Sequence, residues 1–127
     1  MRILVVDDDP VQLETICRGL FLYGHDCLKA VHGGRALEIL NAPDGNRVEV
    51  LLTDFTMPGK NGFEIIQLAR RQRPNLPAVL ITGLTAAYDS AAVEEMGIPV
   101  LQKPFDPDLL DRTIRQVAQN HIARTGT

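Results

Sequence analysis

"RILVVDDDP", Arg2 to Pro10, is the stretch on which the reading of this chain turns. After Arg2 it runs apolar without alternation, as a strand covered on both faces of a sheet does. Asp7, Asp8 and Asp9 follow directly. Pro10 then suits the first turn of a helix, with Asp9 as its N-cap. A buried strand that feeds straight into a helix is the opening half of a βαβ unit. The three like charges at the junction need an explanation. Two carboxylates about 4 Å apart repel by roughly 4 kcal/mol at an effective dielectric near 20. Something must offset that, or the strand ends in water.

The same pattern recurs along the chain. Leu13, Ile16, Cys17 and Leu20 stand at helical spacing, and Gly24 closes that helix. "HDCLKAV" is a weaker second strand. Gly33 and Gly34 lead into a helix at "RALEIL", and "NAPDGN" is a turn-rich loop. "VEVLLTD" is a third strand that again ends in an aspartate. The loop "MPGKNG" is closed by Gly62 and leads to the helix "FEIIQLARRQ", with Phe63, Ile66 and Ala69 on one side. "AVLIT" is a fourth, fully apolar strand. "AAYDSAAVEEM" predicts a fourth helix ending at Gly97, and "PVLQ" a short fifth strand. "DPDLLDRTIRQVAQNHI" predicts the last helix, with Asp106 or Asp108 near its start and Leu110, Ile114 and Val117 on one face. Five strands alternating with five helices imply a doubly wound five-stranded parallel sheet with helices on both faces.

The totals bound the function. The 127 residues fit one domain, and 45% hydrophobic with 23% charged is ordinary for a globular protein. A net charge of -3 with a pI near 5.5 argues against direct nucleic-acid binding. No apolar run approaches the ~20 residues of a membrane span. Aspartates stand where a signal peptide would have its cleavage site, so the expected location is cytoplasmic. Cys17 and Cys27 lack zinc spacing; they read as small buried hydrophobes kept reduced, with a redox pair as the alternative. His25, His32 and His121 have no partner at ligand spacing and read as surface residues.

Open parallel sheets place their sites at the carboxyl ends of the strands. Those ends carry Asp7, Asp8 and Asp9, then Asp54 followed by Phe55 and Thr56, then Thr82 with Gly83, then Lys103 with Pro104. One rim therefore holds a carboxylate cluster, a hydroxyl and an ammonium. Such oxygen ligands suit Mg²⁺, which would offset the aspartate repulsion. A carboxylate is also a competent nucleophile toward phosphorus, and phosphoryl transfer needs mainly positioning and charge neutralisation. Lys103 supplies a compact point charge for a phosphoryl oxygen, Thr82 a hydrogen-bond donor, and Gly83 room for an incoming group.

In "VVDDDP", "LLTDFTMPGKNG", "LITG" and "LQKPF", the chain resembles the receiver domain of two-component response regulators, over nearly its whole length. The resemblance implies a flavodoxin-like (βα)5 fold of the CheY type, strand order 2-1-3-4-5, over residues 1–123 with a short tail at 124–127. It implies a phosphorylation-dependent signalling switch rather than a conventional enzyme, one that catalyses only its own phosphorylation and dephosphorylation. Asp54 matches the phosphoacceptor. Asp8, Asp54 and the Thr56 carbonyl match direct Mg²⁺ ligands, and Asp7 the acid that reaches the metal through water. Thr82 matches the switch hydroxyl and Lys103 the cation on the phosphoryl group, with a Lys103–Pro104 bond that is typically cis. The implied partners are a sensor histidine kinase or phosphotransfer protein and a downstream effector, the chain being a monomer or weak dimer and either a single-domain receiver or part of a hybrid kinase. One position departs: Val100 stands where the family usually has an aromatic residue three before the lysine. Thr56 and Leu84 occupy positions that tend to set the dephosphorylation rate.

Two other readings compete. "DDDP" contains the D-x-D spacing of haloacid-dehalogenase-like phosphohydrolases, although Pro10 replaces their usual small residue and 127 residues leave no room for a cap. A pseudo-receiver, an interaction module that is never phosphorylated, fits Val100 but not the complete aspartate, threonine and lysine set.

Overall fold

The computed structural model describes residues 1–83 and 86–124. Leu84 and residues 125–127 of the expected tail lie outside the described residues. The elements run β1 (Arg2–Val6), α1 (Pro10–Leu22), β2 (Asp26–Ala30), α2 (Gly33–Asn41), a 3-10 turn (Gly45–Arg47), β3 (Val50–Asp54), α3 (Gly62–Gln72), β4 (Ala78–Thr82), α4 (Ser90–Glu95), β5 (Val100–Gln102) and α5 (Pro107–Arg124). All strand pairings are parallel and the sheet order is β2-β1-β3-β4-β5. The central strands β1, β3 and β4 are the ones with continuous apolar runs, and they are buried almost throughout.

Strand alternation divides the core into two layers. Leu4, Val6, Leu51 and Leu80 face α2, α3 and α4 through Ala36, Ile65, Ile66, Ala69 and Val93. Ile3, Val5, Leu52, Val79 and Ile81 face α1 and α5 through Leu13, Ile16, Leu20, Leu110, Ile114 and Val117. Leu13, Ile16, Cys17 and Leu20 are the buried stripe of α1, as their spacing predicts. Gly24, at φ +87, reverses the chain after α1, a conformation glycine adopts without a Cβ penalty. Among the described residues, no helix is long and apolar enough to cross a membrane.

The fourth helix is shorter than its composition predicts. It begins at Ser90 because the Asp89 side chain accepts a hydrogen bond from the Ala92 N–H at 3.1 Å and caps it there. An aspartate gains more at an N-cap than inside a helix. Tyr88, just before the cap, packs its ring against Phe55 at 5.8 Å between centroids. A similar shift occurs at α2, which starts at Gly33 because the exposed His32 ring accepts from the Arg35 N–H at 3.0 Å.

His25 corrects an expectation. It is not a surface residue: only 1% of it is exposed. Its Nε2 lies 2.6 Å from Asp111 Oδ1, and its Nδ1 3.0 Å from the Met1 nitrogen. Arg115 Nε donates to both Asp111 oxygens at 3.0 and 3.2 Å, and its Nη2 donates to the Tyr23 carbonyl at 3.1 Å. The turn after α1 is thus bolted to α5 by partners 86 residues apart in sequence, a separation no spacing rule covers. Burial pushes the Asp111 carboxyl up, but the His25 and Arg115 hydrogen bonds outweigh it and hold the group below its ordinary value of 3.8. A depressed carboxyl stabilises the fold above its unfolded pKa and loses that contribution as pH falls through the folded one. Asp111→Asn should therefore lower the stability near neutral pH by about 3–5 kcal/mol, the cost of removing one partner of a buried pair. Thermal melts should show that gap closing below about pH 4.

Cys17 is buried and Cys27 half-buried, both as free thiols. The neighbouring Cys17 thiol, together with burial, pushes the Cys27 thiol well up.

Candidate functional site

The carboxyl ends of β1 and β3 are neighbours, and their following helices depart to opposite faces of the sheet. That divergence opens a crevice at the switch point. Asp7 stands at its floor. Its N–H continues the ladder to the Ala30 carbonyl at 3.1 Å, and only 1% of the residue is exposed. Oδ1 accepts from the Asp9 N–H at 2.9 Å, whereas the buried Oδ2 has no hydrogen-bond partner among the described residues. Burial raises the Asp7 carboxyl above its ordinary value. The Asp9 N–H opposes this, the Asp54 charge adds to it, Lys103 opposes it again and Asp8 adds the rest.

Asp9 is separate from this cluster in role. Its exposed side chain accepts from the Val11 N–H at 3.0 Å and caps α1, as the sequence predicts. Asp8 is exposed, and Asp54, the last residue of β3, is 7% exposed. One oxygen from each of Asp7, Asp8 and Asp54 lies within 4.8 Å of the others. At that spacing each carboxylate pair repels by about 3–4 kcal/mol at an effective dielectric near 20.

The cation arrives from the other side. The Lys103 N–H donates to the Thr82 carbonyl at 2.8 Å, which ties the segment after β5 to the end of β4. The Lys103–Pro104 bond is cis, as the resemblance implies. Lys103 Nζ donates to Asp54 Oδ2 at 3.2 Å and to Gln12 Oε1 at 2.8 Å. Thr82 is buried at the same rim, one residue beyond Ile81, the partner of Asp54 across the ladder. Thr56 is exposed, two residues past Asp54 in the loop that leads to α3. Val100 is half-buried and packs against the core layer of α2, α3 and α4.

Backbone packing holds Asp54 where it is. The Phe55 N–H donates to the Ile81 carbonyl at 2.7 Å, and the Gly62 N–H to the Phe55 carbonyl at 2.9 Å. Gly62 opens α3 against the Asp54 carbonyl, so closely that a Cβ there would overlap that oxygen. Asn61 and Glu64 lock the helix start with a capping box, each side chain accepting from the other's N–H at 2.9 Å.

The arrangement fits a divalent cation. Among the described residues, three converging carboxylates face the Lys103 ammonium, and the buried Asp7 Oδ2 has no donor. Mg²⁺ takes oxygen ligands at about 2.0–2.1 Å and keeps several waters, so few protein carboxylates suffice. The fit predicts opposite effects of Asp7→Asn on two states. Without metal the variant should be more stable by about 1–2 kcal/mol, since it removes a buried charge whose Oδ2 lacks a donor among the described residues. The stabilisation that saturating Mg²⁺ gives, about 2.7 kcal/mol at a hundredfold excess over Kd, should largely vanish. Melts with and without MgCl2 read both effects.

The structure thus brings together Asp7, Asp8, Asp54 and Lys103, with Thr82 at the same rim. Gln12 was not singled out from sequence. Its one signal is that it sits in the first turn of the helix that starts at the rim.

Comparisons with known proteins show the family and the fold. The family described as the response regulator receiver domain matches residues 3–115. The CheY chemotaxis protein homologue of Campylobacter jejuni is 31% identical over 121 residues, 92% of each chain. The sensor histidine kinase RcsC of Salmonella typhimurium is 32% identical over 120 residues, which are 94% of this chain but 12% of the kinase. The crystal structure of a response regulator receiver domain protein from Clostridium thermocellum superposes with a TM-score of 0.86 at 25% identity, covering 94% of both chains. The flavodoxin-like sheet order of the receiver fold is the one observed. With the match spanning nearly every element, the phosphohydrolase alternative falls away, and the chain belongs to the response regulator receiver domain family.

Proposed function

We propose that this domain is a signalling switch in which Asp54 accepts a phosphoryl group. The observation that carries the reading is the Lys103–Asp54 contact at 3.2 Å inside a cluster of three carboxylates. That contact supports a nucleophile, a cation and a metal-binding set acting at one point, and family membership supports the same roles. An Asp54 oxygen attacks phosphorus, the new O–P bond forms, and the bond from phosphorus to the donor breaks. From a phosphohistidine the leaving nitrogen keeps the electron pair and is protonated; from a small acyl phosphate a carboxylate leaves. Mg²⁺, when bound, neutralises charge on the phosphoryl oxygens. Asp7, Asp8, Asp54 and the Thr56 carbonyl would hold it. Lys103 meets a phosphoryl oxygen, and Thr82 donates a hydrogen bond to another. Hydrolysis by water returns free Asp54 and inorganic phosphate.

The output is a shift between two conformations that bind an effector differently. The donor is a histidine kinase or phosphotransfer protein, the setting is cytoplasmic, and the domain acts as a monomer or weak dimer. Residues 1–123 form the working unit, as a free-standing receiver or within a longer protein. Incubation with Mg²⁺ and acetyl phosphate tests the chemistry. Intact-mass spectrometry should show one added phosphoryl group that disappears when a chelator removes the metal. An unchanged mass at saturating donor and Mg²⁺ would overturn the reading.

A further inference from the structure

Lys103 has a second partner, and it is neutral. Its Nζ donates to Gln12 Oε1 at 2.8 Å, shorter than its 3.2 Å contact with Asp54 Oδ2. The two side chains come from opposite ends of the chain, 91 residues apart. Gln12 is half-buried in the first turn of α1, whose start is fixed by the Asp9 cap. It is therefore an acceptor carried on a fixed stretch of backbone beside a flexible cation. Lysine loses much rotamer freedom when held in one geometry, so a fixed acceptor lowers the cost of having Nζ in place when the phosphoryl group arrives.

The chemistry of the acceptor matters. An amide oxygen takes one of the three ammonium donors and leaves two for Asp54 and the phosphoryl group. It adds no charge to a rim where three carboxylates already face one ammonium. A fourth carboxylate would compete with phosphoryl oxygens for Lys103; an apolar side chain would leave the lysine, whose side chain is 24% exposed, to swing toward water.

We propose that Gln12 is a positioning residue for phosphoryl transfer, acting through Lys103. The inference rests on the role given to Lys103 above. Gln12→Leu should slow phosphorylation by acetyl phosphate about 10-fold, comparable to losing an orienting contact. Mg²⁺ affinity should be unchanged, because the hydrogen bond of Gln12 is to Lys103 rather than to a carboxylate. Gln12→Glu should slow the reaction by at least as much, since the new carboxylate pairs with Lys103.

The deciding experiment is a double-mutant cycle with Lys103→Met, read as the phosphorylation rate at saturating Mg²⁺. If Gln12 acts through Lys103, Gln12→Leu costs about 10-fold in the parent and nothing further beside Lys103→Met. An equal cost in both backgrounds would show that Gln12 acts elsewhere and would sink this inference alone. No cost of Gln12→Leu in the parent would sink it as well. No effect of Lys103→Met itself would overturn the role of Lys103, and the inference with it.

Discussion

Asp54→Asn should abolish Mg²⁺-dependent phosphorylation, a loss of at least about 10³-fold, while leaving the fold intact. The size follows from chemistry. A carboxylate oxygen carries the charge that attacks phosphorus and can leave again as an acyl phosphate; a neutral amide oxygen does neither. The intact fold follows from the geometry. Asp54 is fixed by its backbone, through the ladder to β4 and the approach of Gly62, rather than by its side chain. The amide can still accept from Lys103. It also removes one of three mutually repelling charges, so the unfolding midpoint should shift by only a few degrees. A variant that loses labelling and also unfolds would point to a structural role for the carboxylate instead.

Gly62→Ala should be the most damaging single methyl added at the site. The new Cβ would overlap the Asp54 carbonyl oxygen and lie 2.9 Å from Leu80 Cδ1. Leucine can turn away, but the Asp54 carbonyl is held in β3 and cannot. The start of α3 must then move off the sheet and strain its capping box. Overpacking against side chains costs typically 1–3 kcal/mol; against backbone we expect about 3 kcal/mol or more. For a domain of this size that is a midpoint roughly 10 °C lower. Phosphorylation should slow as well, since Asp54 shifts with its carbonyl. Gly19→Ala is the matched control. Among the described residues nothing lies within 4 Å of a Cβ there, and the residue is inside α1, so the change should be neutral or stabilising by up to about 1 kcal/mol. Equal melts for the two variants would contradict the close approach at Gly62.

Much of this molecule was legible in its sequence because local rules governed it. The apolar runs of β1, β3 and β4 announce strands covered on both faces. Asp9 before Pro10 announces a helix start, and strand-end aspartates, Thr82 and Lys103 announce one rim. The departures have local or long-range causes. Asp89 and His32 cap helices that composition would have started elsewhere, because a cap bond outweighs weak propensities. The buried link from His25 to Asp111 and the tether from Gln12 to Lys103 join residues 86 and 91 apart. Neither partner of such a pair carries a mark of the other; only the packing of α1 against α5 and the segment after β5 reveals them. The orphaned Asp7 Oδ2 is likewise a fact of burial, not of spacing.

The account turns on one atom, the carboxylate of Asp54 as the group that receives phosphorus. Reductive trapping reads it directly. The protein is phosphorylated with acetyl phosphate and Mg²⁺, reduced with borohydride, digested and sequenced by mass spectrometry. An acyl phosphate on aspartate is converted to homoserine by this treatment, which marks the position. The account predicts the mark at Asp54 and its absence from Asp7, Asp8 and Asp9. A mark on one of those three instead, or a stable phosphate on a serine, threonine or histidine, would contradict it.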